Sequence, residues 1–169
     1  MPYFNSPVDS ARLFYRHYEP DESGYKARND LRLNMTLVFL HGWPMSSEMY
    51  SHLMVPLCET YRFRCIAPDR RGFGKSDWNS GRRPNSISWQ TFVDDTMALL
   101  EQLDIGSFIL AGASMGAPEA LMVYLQSPFV KARCKVSSVE AVRIGEPEQR
   151  LTPTRASFSW ARPCPILSR

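Results

Sequence analysis

The stretch SFILAGASMGAPEALMVYLQ, residues 107–126, decides the fold. The apolar run SFILAGA at its start is typical of a strand that is buried on both faces of a parallel sheet. From Met115 onwards the sequence predicts a helix, which tolerates Pro118 in its first turn and ends before Pro128. A strand, a sharp turn at GASMG and a helix are therefore expected to follow one another directly.

Ser114 lies at the centre of this turn, between Gly112 and Gly116. The arrangement predicts a nucleophile elbow, in which a strained backbone presents the serine hydroxyl at the tip of the strand. The two glycines remove side chains that would collide in so tight a turn. The first N–H groups of the helix, beginning with that of Met115, would lie close to the hydroxyl. The alternative is a glycine-rich turn whose serine only caps the helix.

The same alternation of strands and helices runs through residues 1–130 and predicts an α/β fold, with a mostly parallel sheet flanked by helices. Three further predicted strands are ARLFYRHY, MTLVFL and RCIAP, at residues 11–18, 35–40 and 64–68. Residues 86–105 predict a helix, capped by Ser86 or Ser88. Its apolar face, which can cover the sheet, is formed by Trp89, Phe92, Val93, Leu99, Leu100 and Leu103.

A loop that follows the strand MTLVFL completes the candidate site. This loop is HGWP, residues 41–44, and it stands where an acyl-transfer enzyme of this architecture needs a backbone N–H for its oxyanion hole. We expect Trp43 and Met115 to supply the two N–H donors. His41 and Gly42 are expected to support the loop.

A second loop, DRRGFGKSD at residues 69–77, has the glycine spacing of a tight turn, although its GFGKS segment lacks the full spacing of a phosphate-binding P-loop. HGWP, DRRGFGKSD and GASMG, in this order, resemble the α/β-hydrolase family, in the branch that contains soluble epoxide hydrolases, non-haem haloperoxidases and many esterases. The resemblance covers residues 3–130 and implies a partial α/β-hydrolase fold. It implies small ester, lactone or epoxide substrates. No cofactor and no metal are expected. Serine at position 114, where epoxide hydrolases carry aspartate, favours ester, lactone or peracid chemistry.

The histidine that the family places after the nucleophile and the acid is missing from the sequence downstream of Ser114. The three histidines of the chain are His17, His41 and His52. His41 belongs to the HGWP loop, and the other two are expected to be structural or surface residues.

The acid of a triad is equally hard to place. The acids downstream of the elbow turn are Glu140, Glu146 and Glu148, and no strand pattern precedes them. Glu119, Asp94 and Asp95 are expected to be solvated positions on helices. A serine without a base is a poor nucleophile at neutral pH, so the incomplete triad predicts little turnover by this chain.

The composition changes after residue 130. Residues 131–169 are basic, rich in proline and without sustained periodicity, and they predict an irregular tail outside the fold. The candidates for a short added strand or helix are Val136, Val139, Val142 and Ile144. The domain would end at residue 130, truncated through a retained intron, a frameshift or a gene-model error. SFILAGA would then have an exposed edge, through which self-association is expected.

Length and composition agree with one domain, since 169 residues with 44% hydrophobic content can bury one sizeable core. The sequence shows no secretion signal and no membrane span, so a cytoplasmic location without membrane contact is expected. The net charge of +3 is too small to indicate a nucleic-acid partner. The cysteines lack the spacing of a zinc site or a disulfide framework; they are Cys58, Cys65, Cys134 and Cys164.

These patterns together predict a serine hydrolase of small ester- or lactone-like substrates in the full-length parent, with Ser114 as nucleophile. The chain itself is expected to lack the catalytic acid and histidine. Two alternatives stay open. One is a haloperoxidase-like (perhydrolase) activity that uses the same serine with an organic acid and peroxide. The other is a non-catalytic role in binding a ligand or a partner.

Overall fold

The computed structural model describes residues 2–21, 35–80 and 87–140. The strands in these residues are β1 Tyr3–Asn5, β2 Arg12–Tyr18, β3 Met35–Leu40, β4 Arg64–Pro68, β5 Ser107–Ala113 and β6 Cys134–Glu140. They form one sheet in the order β1-β2-β4-β3-β5-β6. Strands β4, β3, β5 and β6 are parallel neighbours, whereas β1 and β2 join antiparallel at one side. The predicted α/β fold with a mostly parallel sheet is confirmed.

The helices in the described residues are α1 Ser51–Glu59, α2 Trp89–Gln102, α3 Gly116–Gln126 and α4 Pro128–Arg133, and a short 3-10 helix, Ser47–Tyr50, precedes α1. Ser88 takes the position before α2, where its backbone N–H donates to the Thr91 hydroxyl at 3.1 Å. The other candidate cap, Ser86, lies outside the described residues. None of the helices described is long and apolar enough to cross a membrane.

The two faces of the sheet pack against different helices, because successive side chains of a strand point to opposite faces. One face contributes Val38, Leu40, Phe108 and Leu110, which lie in one core with Val93, Leu99 and Leu100 of α2 and Val123 of α3. The other face contributes Phe39, Cys65 and Ala67, which pack with Met54 of α1. Covering on both faces is what the continuous apolar strands predicted.

The predicted end of the domain at residue 130 is too early. Helix α4 crosses that position, and β6 then pairs with β5, with Val136 opposite Ile109 and Val139 opposite Gly112. Strand β5 therefore has a neighbour on each side, and the expectation that it has an exposed edge is wrong. Within the described residues the outer strand on this side is β6, so self-association through that edge stays a proposal. Residues 141–169, with most of the predicted tail, lie outside the described residues.

The expectation that no strand precedes Glu140 is also wrong, since this residue ends β6 and its backbone lies opposite Ala113. Strand β6 has the sequence CKVSSVE, in which polar residues separate the two valines. So polar a strand gives a weak sequence signal, because its pairing depends on the neighbouring strand rather than on its own apolar residues.

Two acids that were predicted to be solvated are buried instead. Glu119 on α3 and Asp95 on α2 expose only 2% and 5% of their surface. Each is paired with an arginine of the DRRGFGKSD loop: Glu119 with Arg70, and Asp95 with Arg71. Long-range ion pairing explains the error, because a helix pattern alone does not reveal a partner on a distant loop.

Arg71 joins three separate parts of the fold. Its side chain is fully buried and contacts Asp95 on α2 and Ser6 in the turn after β1. It also donates to both carboxylate oxygens of Asp9, at 3.0 and 2.8 Å. These hydrogen bonds lower the pKa of Asp9 from 3.8 to about 2. The ionised form of Asp9 therefore stabilises the fold.

Replacing Asp9 by asparagine is expected to destabilise the protein by about 2 kcal/mol near neutral pH. Because the pKa of Asp9 is lower in the folded state, its contribution is fully present above pH 3.8 and is lost as the pH falls towards about 2. The free energy of unfolding, measured by urea titration at about pH 6 and again near pH 2.5, should thus differ between wild type and Asp9→Asn mainly at the higher pH.

Asp94→Asn is the control, because Asp94 on α2 is half-buried and, within the described residues, its side chain accepts a hydrogen bond only from Gln90, at 2.9 Å. It should change the free energy of unfolding little at either pH. A deficit of Asp9→Asn that stays constant from pH 6 to pH 2.5 would contradict the role assigned to the Asp9 charge.

Candidate active site

Ser114 occupies the predicted junction between strand and helix. Strand β5 ends at Ala113 and α3 begins at Gly116. Ser114 has φ of +49° and is exposed, and its carbonyl oxygen accepts a hydrogen bond from Ala117 N–H at 3.0 Å. A positive φ is a strained conformation for a serine, and such strain is characteristic of residues held in place by their surroundings at functional sites.

The glycines on either side of Ser114 are required by close packing. A Cβ atom on Gly112 would lie 2.2 Å from the carbonyl oxygen of Gly116. A Cβ atom on Gly116 would lie 2.1 Å from the carbonyl oxygen of Leu40, the last residue of β3. Both distances are far below van der Waals contact. The start of α3 can therefore approach the ends of β3 and β5 only because these positions carry no side chain.

The HGWP loop, which begins directly after β3, lies against the elbow. A Cβ atom on Gly42 would lie 3.1 Å from the Cβ atom of Ser114 and 3.7 Å from its hydroxyl oxygen. The loop turns tightly here, since Met45 N–H donates to the Gly42 carbonyl at 3.0 Å. Trp43 is the next residue along the chain, and its side chain is 67% exposed. The backbone of the loop thus forms one wall beside the serine.

His41 is buried, and both of its ring nitrogens are occupied. Nε2 accepts a hydrogen bond from Arg70 N–H at 3.0 Å, which leaves the proton on Nδ1, and Nδ1 donates to the Gly42 carbonyl at 2.8 Å. Burial lowers the pKa of His41 below 6.5 and favours this neutral form. His41 therefore supports the loop and has no nitrogen left to take the proton of Ser114.

The other two histidines are also placed as predicted. His17 lies within β2, is half-buried, and accepts a hydrogen bond from Arg64 Nε at 2.8 Å. His52 is exposed on α1. In the part of the chain that the structure describes, His, Cys, Asp and Glu side chains form no group of at least three that could hold a metal ion.

An ion pair that the sequence did not reveal joins the DRRGFGKSD loop to α3. Arg70 Nε donates to Glu119 Oε2 at 2.7 Å, and Arg70 Nη2 donates to the His41 carbonyl at 3.0 Å. The other carboxylate oxygen of Glu119 accepts from the Thr96 hydroxyl at 2.6 Å. Burial raises the pKa of Glu119, and the attraction of Arg70 opposes that rise. One sequence signal was available: Glu119 is spaced to share a helix face with the buried Val123.

A cavity of about 20 Å³ lies among these groups, between α2, α3 and the ends of β3 and β4. Its polar lining includes Arg70, Asp95, Thr96 and Glu119. This space suits a water-sized molecule and is too small for an organic substrate. Exposed apolar side chains are found in the HGWP loop and in the segment that follows it up to α1, namely Trp43, Met45, Met49 and Leu53.

A sequence model of the alpha/beta hydrolase fold matches residues 36–139, which is more than half of the chain. The chain belongs to the alpha/beta hydrolase family. The predicted resemblance is thereby confirmed. The matched region contains the HGWP loop, the DRRGFGKSD loop and Ser114, so these parts of the candidate site lie within the region shared with the family.

Two relatives illustrate the similarity of this alpha/beta hydrolase to known proteins. The AB hydrolase superfamily protein YisY of Bacillus subtilis is 37% identical over 93 residues, which are 54% of this chain and 32% of that protein. The non-heme chloroperoxidase of Streptomyces lividans is 32% identical over 111 residues, which are 66% of this chain and 34% of that protein.

Among solved structures, an alpha/beta hydrolase from Novosphingobium aromaticivorans superposes with a TM-score of 0.63 at 25% identity. The superposition covers 80% of this chain and 41% of that one. The chain thus spans about a third to two fifths of the length of these three proteins.

Gly116→Ala is expected to destabilise the protein by about 3 kcal/mol, because the new methyl group would collide with the Leu40 carbonyl. Gly106→Ala is a matched control, since a Cβ atom at Gly106 would have nothing within 4 Å. Thermal melts should show a much lower melting temperature for Gly116→Ala and little change for Gly106→Ala. Equal melting temperatures for the two variants would show that the approach of α3 to β3 is looser than described.

His41 is expected to be neutral and protonated on Nδ1 below pH 6.5, because burial and the contact with Arg70 N–H both oppose the charged ring. Long-range proton–nitrogen NMR spectra, assigned with His41→Asn, would report the tautomer directly. Since the pKa is lower in the folded state, the stability that this histidine contributes is complete above pH 6.5 and declines as the pH falls. An Nε2-protonated or charged ring at pH 6.5 would contradict the assignment.

Proposed function

We propose that Ser114 is the nucleophile of a serine hydrolase that acts on small ester- or lactone-like substrates. The observation that carries this proposal is the serine held at φ of +49° between β5 and α3, with Gly42 packed against it. A serine that merely capped α3 would need no such backbone strain, and Met115, not Ser114, occupies the cap position before the helix.

In the proposed reaction, the Ser114 hydroxyl oxygen forms a bond to the ester carbonyl carbon, and the displaced electron pair moves to the carbonyl oxygen. The N–H groups of Trp43 and Met115 stabilise the resulting oxyanion, and each such donor contributes about 3 kcal/mol in well-studied hydrolases. The alcohol then departs with a proton and leaves an acyl group on Ser114. Water hydrolyses this acyl-enzyme, which releases the carboxylic acid and restores the hydroxyl.

The contacts of the HGWP loop support the assignment of Trp43. Gly42 approaches the serine side chain so closely that its successor is the natural source of an N–H directed at a bound carbonyl. Met115 supports it from the other side, because it immediately precedes α3, where the free N–H groups of a helix N-terminus favour negative charge.

The proton of Ser114 needs an acceptor that the described histidines do not supply. His41 has both nitrogens bonded, His17 is bonded within the sheet, and His52 is exposed on α1. The acid and histidine of a complete triad are therefore assigned to the full-length parent, and this chain is proposed to be a slow catalyst at best.

A perhydrolase activity is the second candidate, and the similarity to the non-heme chloroperoxidase of Streptomyces lividans favours it. In this reaction Ser114 would be acylated by an organic acid with loss of water. Hydrogen peroxide would then take the acyl group to give a peracid, without a cofactor. Both candidates use the same nucleophile and the same oxyanion hole, so a common first test applies. A binding role without chemistry is the third candidate.

Incubation with a fluorophosphonate probe is expected to label the chain slowly at Ser114, because the elbow exposes the hydroxyl but no described base activates it. Intact-mass analysis should show one adduct in wild type and none in Ser114→Ala. Ser51→Ala is the control. It removes a hydroxyl on α1 that donates to the Glu48 carboxylate, and it should leave labelling unchanged. A wild-type chain that is not labelled, or an adduct that persists in Ser114→Ala, would refute the nucleophile and leave the binding role.

For a labelled chain, p-nitrophenyl acetate cleavage with and without hydrogen peroxide separates the two chemistries. A rate of hydrolysis that does not change when peroxide is added supports the esterase. Peracid formation that depends on Ser114 supports the perhydrolase.

A further inference from the structure

A closed ring of contacts runs from Ser114 along α3 to Glu119 and returns through the HGWP loop. Glu119 lies in the first turn of α3, close behind the elbow, with a side chain that is only 3% exposed. Both of its carboxylate oxygens are bonded, one to the Thr96 hydroxyl at 2.6 Å and the other to Arg70 Nε at 2.7 Å. The carboxylate is therefore fixed relative to α2 as well as to its own helix.

Arg70 connects Glu119 to the HGWP loop, because it makes two hydrogen bonds to His41. Its backbone N–H donates to His41 Nε2 at 3.0 Å, and its Nη2 donates to the His41 carbonyl, also at 3.0 Å. The first contact orients the imidazole ring and the second holds the backbone. The ring in turn donates from Nδ1 to the Gly42 carbonyl at 2.8 Å, and Gly42 lies against Ser114.

Glu119 is the carboxylate that pairs with the guanidinium of Arg70. The guanidinium is 4% exposed, and its Nη1 has no hydrogen-bond partner among the described residues. A buried guanidinium whose carboxylate is removed is strongly destabilised and shifts towards other acceptors. Asp69 lines the same cavity and offers such an acceptor. A shift of Arg70 towards it would release the His41 carbonyl.

We propose that Glu119 is a positioning residue, which holds the HGWP loop in register with Ser114 through Arg70 and His41. This inference rests on the proposed function, because the loop contributes one of the two oxyanion donors only if Ser114 is acylated. The helix that presents the nucleophile thus also carries the group that aligns the opposite wall of the site.

The test compares Glu119→Gln with Asp95→Asn, which removes the carboxylate of the other buried ion pair, the one with Arg71. Two amides are followed by hydrogen exchange: Arg70 N–H, which bonds His41, and Asp69 N–H, which bonds the Phe14 carbonyl at 2.9 Å. Glu119→Gln removes the charged hydrogen bond between the Arg70 guanidinium and the Glu119 carboxylate. Hydrogen exchange at the Arg70 amide should therefore become faster relative to the Asp69 amide by about tenfold or more. Fluorophosphonate labelling should slow by about tenfold or more, as for loss of an oxyanion donor.

Asp95→Asn should lower the melting temperature at least as much, yet leave the ratio of exchange rates and the labelling rate, corrected for the unfolded fraction, unchanged. If Glu119→Gln behaves in both respects like Asp95→Asn, the role of Glu119 is only structural and the proposal is overturned. Should Glu119→Gln fail to fold, Thr96→Val removes one hydrogen bond to the same carboxylate. This variant is expected to shift both rates in the same direction by a smaller factor. If neither rate changes in Thr96→Val, the proposal is overturned.

The exchange measurement does not depend on chemistry. If wild type is not labelled at all, the nucleophile proposal fails, and the Arg70 to Asp69 exchange ratio alone decides whether Glu119 positions the loop.

Discussion

The contact between the backbone of Gly116 and the carbonyl of Leu40 sets the geometry on which the rest of the site depends. A Cβ atom at Gly116 would lie 2.1 Å from that oxygen, so α3 meets the end of β3 with no side chain between them. This closeness brings the HGWP loop, which leaves β3 at Leu40, against the serine that precedes α3. Both walls of the candidate oxyanion hole are therefore defined by one backbone contact, before any polar side chain is considered.

Polar side chains then hold the loops that this contact brings together. The neighbouring arginines Arg70 and Arg71 diverge: the first joins the HGWP loop to α3, and the second joins the turn after β1 to α2. Each guanidinium is nearly or fully buried, so its carboxylate partners are obligatory rather than optional. The DRRGFGKSD loop thus links parts of the fold that are far apart in the sequence.

The sequence was sufficient for those features that depend on local pattern. The apolar runs that form β3, β4 and β5 are continuous enough to predict strands by themselves. Gly112 and Gly116 indicate a tight turn, because any side chain at these positions would collide with the backbone. Features that depend on a distant partner are predicted less well. The prediction that Glu119 is solvated is wrong because its partner, Arg70, lies 49 positions away in the sequence. For β6 the sequence offers Val136 and Val139 as candidates for a short strand, but the polar pattern alone does not predict it, because the strand forms by pairing with β5.

His41 shows why proximity to the elbow does not make a histidine a catalytic base. A base must offer a free lone pair, and in this ring the only lone pair, on Nε2, is already used by Arg70 N–H. Releasing it would leave a buried amide without an acceptor and detach the loop that the same ring supports through Gly42. The histidine that supports the HGWP loop is thereby prevented from taking a proton from Ser114. If Ser114 is acylated as proposed, the residue that takes its proton must therefore differ from the histidine that positions the HGWP loop.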